Sequence, residues 1–179
     1  YRAPVQLIDL QSKPLDDKQY QNIRLVAPAE GSAFYSKPGI FGWDKIDRGS
    51  AFLVEHLPQF LARFNRQPQS LLDLGCGYGY LSCEANRLGI NQLTATDNNA
   101  AALVAAEKNL SKIDNLHYAI AAADAGDQIT GRFDCLLCNP PFHQGFSVDS
   151  RLGSKFLNSA KRLLGADGQA LFVVNCFIP

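Results

Sequence analysis

The sequence predicts a doubly wound α/β domain built on a parallel central sheet. Three observations carry that expectation. The strand-like run Leu71-Leu72-Asp73-Leu74 is followed at once by glycines at alternate positions, Gly75, Gly77 and Gly79, and then by the helix-forming stretch Tyr80-Leu81-Ser82-Cys83-Glu84-Ala85. Further β-like runs return at 92–97, 116–121, 133–138 and 168–175, with helical patterns between most of them. Phe133-Asp134-Cys135-Leu136-Leu137-Cys138 is nearly continuously apolar, as a strand buried on both faces requires.

Taken in order, residues 1–45 alternate short β-like runs (Val5-Gln6-Leu7-Ile8, Ile23-Arg24-Leu25-Val26, Ala33-Phe34-Tyr35) with Pro, Gly and charged breaks. They form a β-rich N-terminal extension capping a main domain over 46–179. Between Asp47 and about Phe64, the residues Phe52, Leu53, Leu57, Phe60, Leu61 and Phe64 recur at helical spacing, with Asp47 or Ser50 as cap. The glycine triplet then ends the first sheet strand. Glycine tolerates positive φ and lets a ligand approach the backbone with no Cβ in the way. A dinucleotide loop would place its third glycine where Tyr80 stands, but here it comes one residue early, at Gly79. Gln92 to Asp97 ends in a carboxylate suited to both hydroxyls of a ribose, so the ligand carries a ribose and need not carry phosphates.

Asn98 and Asn99 cap an alanine-rich helix over 100–110, and Leu116 to Ala121 forms the third strand, with Asp124 just past its end and Asp127 as a competing acid. The next connection is too short for a full helix. The fourth strand ends in Asn139. A helix over 149–164 buries Leu152, Phe156, Leu163 and Leu164 and presents Arg151, Lys155 and Arg162 on its other face, where charged side chains are usually solvated. Gly168 to Asn175 is the fifth strand.

The 179 residues, 46% hydrophobic and 19% charged, suit one globular domain, and the formal net charge of zero gives no global sign of nucleic-acid binding. Without a long apolar run or a basic-then-apolar leader, a cytoplasmic protein is expected, with no membrane partner. The five cysteines sit in apolar segments, as reduced buried thiols do. Cys135 and Cys138 read as C-x-x-C, yet on a strand they point to opposite faces, so no metal is expected. A chain with no Met is expected to be a piece of a longer protein.

Asp73-Leu74-Gly75-Cys76-Gly77-Tyr78-Gly79 together with Asp97 resembles the glycine loop and ribose acid of Rossmann-like class I methyltransferases that use S-adenosylmethionine. That resemblance implies a cofactor site at Asp73, Gly75, Gly77, Gly79, Asp97 and Asn98, with Asp124 near the adenine. Asn139-Pro140-Pro141-Phe142 resembles the N-P-P-[FY] signature of members that methylate an amino nitrogen conjugated to a π-system. Such a nitrogen is a poor nucleophile until acceptors on its N–H bonds turn the lone pair toward the methyl. The side-chain oxygen of Asn139 and the carbonyl of Pro140 would supply two. Prolines 140 and 141 hold them in advance, and Phe142 offers a face for a ring. His143 either carries the proton away or is structural.

Pro38-Gly39-Ile40-Phe41, followed by the helix start over Asp47 to Ser50, resembles the segment before the first motif in the small-subunit ribosomal RNA guanine-N2 methyltransferase family, where it closes over the cofactor; Phe41 and Trp43 could instead plug the domain's edge. The implied activity is guanine N2 methylation, with ribosomal RNA or the small ribosomal subunit as partner and His143, Arg151, Lys155 and Arg162 toward the substrate. Methyltransferases of this class normally add a C-terminal antiparallel hairpin, which is expected to lie beyond this piece, and the family often carries a degenerate copy of the domain upstream. Two other readings stand beside it. A release-factor glutamine methyltransferase has Tyr where Phe142 stands. A non-catalytic RNA-binding copy typically loses the glycine loop or the Asn-Pro-Pro run.

Overall fold

The computed structural model describes residues 20–28, 31–140, 143–144, 147–148 and 150–174, without the side chains of 143–152. Val5 to Ile8, Pro141, Phe142 and Cys176, and the side chains of His143, Arg151 and Leu152, therefore lie outside the described residues.

Five parallel strands form the central sheet in the order β5-β4-β3-β6-β9. They are β3 (Leu71–Leu74), β4 (Gln92–Asp97), β5 (His117–Ala122), β6 (Phe133–Cys138) and β9 (Leu164–Phe172). Strand order reverses at β3, which pairs with β4 on one side (Leu71 opposite Leu93) and with β6 on the other (Leu71 opposite Cys135). In an open parallel sheet that reversal opens a crevice at the carboxyl ends of the strands. The expected α/β class is what the chain adopts.

Helix α1 (Arg48–Leu61) begins at Asp47, whose carboxylate accepts the Ser50 N–H at 2.9 Å. The sheet's alternation sorts the helices. Leu71, Cys135 and Leu137 face one side, where Leu53, Leu57 and Phe60 of α1, Leu81 and Ala85 of α2 (Tyr80–Arg87), and Ala106 and Leu110 of α3 (Ala100–Leu110) pack on them. Leu72, Leu74, Leu136 and Cys138 face the other, under Phe156, Ala160 and Leu163 of α4 (Ser150–Leu163). Each fully buried leucine contributes about 1.5–3 kcal/mol. Cys135 and Cys138 therefore stand on opposite faces, both fully buried, and the four described cysteines are free thiols.

The N-terminal cap is a small antiparallel hairpin of β1 (Arg24–Val26) and β2 (Phe34–Ser36). It is joined to the glycine loop rather than resting loosely on the domain. Phe34 stacks on Tyr78 with centroids 4.0 Å apart, and the Asn109 side chain bonds the backbone of both Tyr35 and Tyr78. A second short hairpin, β7 (His143–Gln144) with β8 (Ser147–Val148), precedes α4.

The last strand departs from expectation: β9 starts at Leu164, directly after α4, not at Gly168. Leu164 already pairs with Phe133 and Gln169 with Cys135, so the residues between them bulge. Glycine makes this possible, because a Cβ on Gly168 would lie 2.8 Å from the Phe133 carbonyl oxygen.

Candidate functional site

Three strand ends meet at the crevice. The loop after β3, Asp97 at the end of β4 and Asn139 just past β6 line one cleft of about 300 Å³, together with Ile40, Phe41, Asp47, Ser50 and Phe156. Gly75, Gly77 and Gly79 have φ of 82°, 55° and 87°, the left-handed region that favours glycine. Their tasks differ. A Cβ on Gly77 would meet nothing within 4 Å, so this backbone lies open to a ligand. Gly79 is absent from the cleft wall and lets α2 sit against α3, a Cβ there coming 3.4 Å from Ala106.

Asp97 is held at both oxygens. Oδ2 accepts the Gly77 N–H at 2.9 Å and Oδ1 accepts the Asn99 N–H at 2.9 Å, which fixes the carboxylate between the glycine loop and the start of α3. Each oxygen keeps a second lone pair for a hydroxyl. Asn99 in turn donates from its side chain to the Gly39 carbonyl at 2.9 Å, tying the turn that carries Phe41 to the same corner. Phe41 is 71% exposed at the rim, whereas Trp43 packs with the small cluster around Phe34 and Tyr78. Of the two aromatics, Trp43 is the one that packs against the domain, while Phe41 stays open to the cleft.

Asn139 donates from Nδ2 to Asp47 Oδ2 at 2.7 Å and to Ser50 Oγ at 2.9 Å. Among the described residues no donor meets its Oδ1. Pro140 is buried beside it.

Several expected site residues stand elsewhere. Asp73 is fully buried behind the loop, with Oδ2 accepting from the Ser82 N–H (3.0 Å) and Ser82 Oγ–H (2.6 Å), and it does not reach the cleft. It anchors the first turn of α2. Burial pushes its carboxyl up to about 6, against the Ser82 hydrogen bonds and with a smaller push from Asp97. Burial pushes the Cys76 thiol at the cleft well up, which favours its neutral form. Asn98 and Asp124 line the cleft; Asp127 instead accepts the Asp124 N–H at 3.1 Å.

Lys155 and Arg162 do not lie opposite the apolar stripe of α4 but flank it, turned onto the loop between β5 and β6. Lys155 ion-pairs with Asp124. Arg162 donates to the carbonyls of Gly126 (2.6 Å) and Ile129 (2.7 Å). At about 100° per residue, Lys155 and Arg162 fall within about 60° of the buried Ser159, at the edge of the apolar stripe rather than across the helix from it. The loop they brace holds Ala125 at a φ of 49°, unusual without glycine, and Ala125 also lines the cleft. Asp47 and Ser50 stood in the sequence only as a helix start next to the segment expected near the cofactor, and Phe156 was not announced as a site residue at all; all three line the cleft. No sequence signal set Asp47 against Asn139, and Phe156 signalled only an apolar stripe.

The methyltransferase small domain family model matches residues 31–179. The ribosomal RNA small subunit methyltransferase C of Haemophilus influenzae (strain PittGG) is 33% identical over 172 residues, covering 95% of this chain and 50% of that protein. Its namesake from Sodalis glossinidius is 34% identical over 145 residues, 79% of this chain and 39% of that protein. The chain spans about half the length of the curated relatives it matches. Among solved structures, a T. thermophilus 16S rRNA N2 methyltransferase in complex with AdoMet and guanosine superposes with a TM-score of 0.73 at 30% identity, covering 86% of this chain and 42% of that one.

Proposed function

This chain belongs to the methyltransferase small domain family, and we propose that it moves the methyl group of S-adenosylmethionine to the exocyclic N2 of guanine in small-subunit ribosomal RNA. The observation that carries this reading is the orientation of Asn139: its amide nitrogen is consumed by Asp47 and Ser50, and its oxygen meets no donor among the described residues at the place where β6 opens into the cleft. An acceptor in that position suits an amino group whose lone pair must be turned out of conjugation. The similarity to a 16S rRNA N2 methyltransferase solved with AdoMet and guanosine, and to relatives named for the small-subunit RNA, favours guanine over a glutamine amide.

The cleft fits the cofactor on its own features. The open backbone at Gly77 takes a chain with no side chain in the way, and Asp97 offers one free lone pair per oxygen to a ribose diol. S-adenosylmethionine supplies an electrophilic methyl on a sulfonium. Phe41, Asn98 and Asp124 line the same cleft and belong to this proposal as cofactor contacts. The chain's task in the reaction is placement. Asn139 Oδ1, with the Pro140 carbonyl, accepts the amino hydrogens, so the nitrogen forms its bond to carbon as the carbon–sulfur bond breaks and leaves a neutral thioether; the methylated nitrogen, now cationic, then loses a proton to water, and no strong base is needed. Ribosomal RNA or the assembled small subunit is the partner, and the work is done in the cytoplasm. His143 and Arg151 belong to this proposal as substrate contacts. No helix among the described residues is long and apolar enough to cross a membrane.

The test incubates the full-length protein with labelled cofactor and, separately, ribosomal RNAs, transfer RNA and release factors. Label on guanine N2 of small-subunit RNA is the expected result; label on a release-factor glutamine alone overturns it.

A further inference from the structure

An asparagine amide is nearly symmetric in shape, so packing hardly distinguishes its oxygen from its nitrogen, and hydrogen bonds must choose. For Asn139 the choice decides whether the cleft receives an acceptor or two more donors. Nδ2 lies 2.7 Å from Asp47 Oδ2 and 2.9 Å from Ser50 Oγ. A carboxylate has no hydrogen to give, so it holds the nitrogen end and excludes the flipped amide. The same Asp47 oxygen accepts the Ser50 N–H at 2.9 Å, which fixes the carboxylate to the first turn of α1. Space has been kept for the arrangement at Gly49, where a Cβ would lie 3.1 Å from Asp47 Oδ2 and 3.3 Å from both Nδ2 and Oδ1 of Asn139.

We infer that Asp47 and Ser50, at the start of α1, are positioning residues for methyl transfer: together they take the Asn139 amide hydrogens and hold its oxygen toward the substrate amino group. The inference rests on the guanine-N2 reading above. The carboxylate adds polarisation, because a strong acceptor on an amide N–H makes the amide oxygen a better acceptor in turn. It also explains why a helix from before the glycine loop reaches across to the end of β6.

A plain structural tie between α1 and the sheet predicts that activity follows stability; positioning predicts that the two separate. Asp47→Ser keeps a capping hydroxyl for α1 but is too short to hold the Asn139 amide. We expect it to melt close to the parent and to bind cofactor as the parent does, with kcat lower by about 10- to 100-fold and little change in KM for RNA. Asp47→Asn retains an acceptor oxygen and should recover much of the loss. Gly49→Ala improves helix propensity yet crowds the amide, so its kcat should fall while its Tm does not. If kcat tracks Tm across the three variants, or Asp47→Ser keeps the parent's kcat, the inference is wrong. The orientation is also read without turnover. In nitrogen-correlated NMR of the full-length protein, the Asn139 side-chain amide pair, assigned by its loss in Asn139→Asp, should show hydrogen-bonded shifts in the parent and lose them in Asp47→Ser. A parent that methylates no guanine overturns the substrate reading alone, while an amide pair identical in both proteins overturns the positioning.

Discussion

Replacing Asp73 by Asn should remove a pH dependence that one buried carboxyl imposes on the fold. Asp73 is fully buried; its Oδ2 takes both Ser82 bonds, and Oδ1 has no partner among the described residues. Burial raises its pKa from 3.8 to about 6. An acid with a raised pKa holds its proton more tightly folded than unfolded. Its favourable share of stability is therefore complete below 3.8 and is lost as pH climbs through about 6. A rise from 3.8 to about 6 amounts to about 3 kcal/mol, of which about 2.5 falls between about pH 4 and pH 7.5. The amide of Asp73→Asn still accepts from Ser82 but places an NH₂ where the unpartnered oxygen was. That costs about 1–3 kcal/mol at every pH and cancels when the two pH profiles are compared. Urea unfolding across this window, with a constant slope, should thus show the variant gaining about 2.5 kcal/mol on the parent as pH rises. Parallel profiles would show that Asp73 does not titrate between the two states and would refute the reasoning.

Asp97→Ala removes two charge-assisted acceptors for the ribose, each worth about 1.5–3 kcal/mol, and also frees the Gly77 N–H; calorimetry should show cofactor affinity collapsing in a protein that still folds, and an unchanged Kd would remove Asp97 from the site. Asn139→Ala should slow single-turnover transfer on the order of 100-fold or more while cofactor binding persists, and transfer at the parent's rate would exclude the amino-group mechanism. Arg162→Gln should destabilise the fold, since two charged hydrogen bonds to Gly126 and Ile129 are lost, each worth about 1.5–3 kcal/mol; an unchanged urea midpoint would contradict that role. The same substitution combined with Lys155→Gln should leave the salt slope of RNA binding unchanged, whereas each lost phosphate contact would flatten it by about 0.7–0.9.

The sequence by itself determined whatever local pattern encodes. Alternate glycines after an apolar run announced left-handed backbone after β3, and φ is positive at all three. The apolar run at the end of β6 announced burial on both faces, and Cys135 to Cys138 are fully buried. Asp97 and Asn139 were legible because each ends a strand, and the ends of parallel strands share one edge whatever packs around them. The tertiary structure alone decided which polar groups meet across long stretches of chain. Asp47 presented a capping signal, and only the fold sets it against Asn139. Asp73 carried the same motif as its neighbours, yet the pleat turned it away from the cleft and toward Ser82. Arg162 read as a solvent or RNA contact until the loop beyond β5 supplied two carbonyls for it. Strand and helix periods follow from bonds between neighbours along the chain. The partner of a buried or half-buried polar group is instead chosen among all groups that the packed elements bring within about 3 Å, and a period of two or of 3.6 residues holds no information about that.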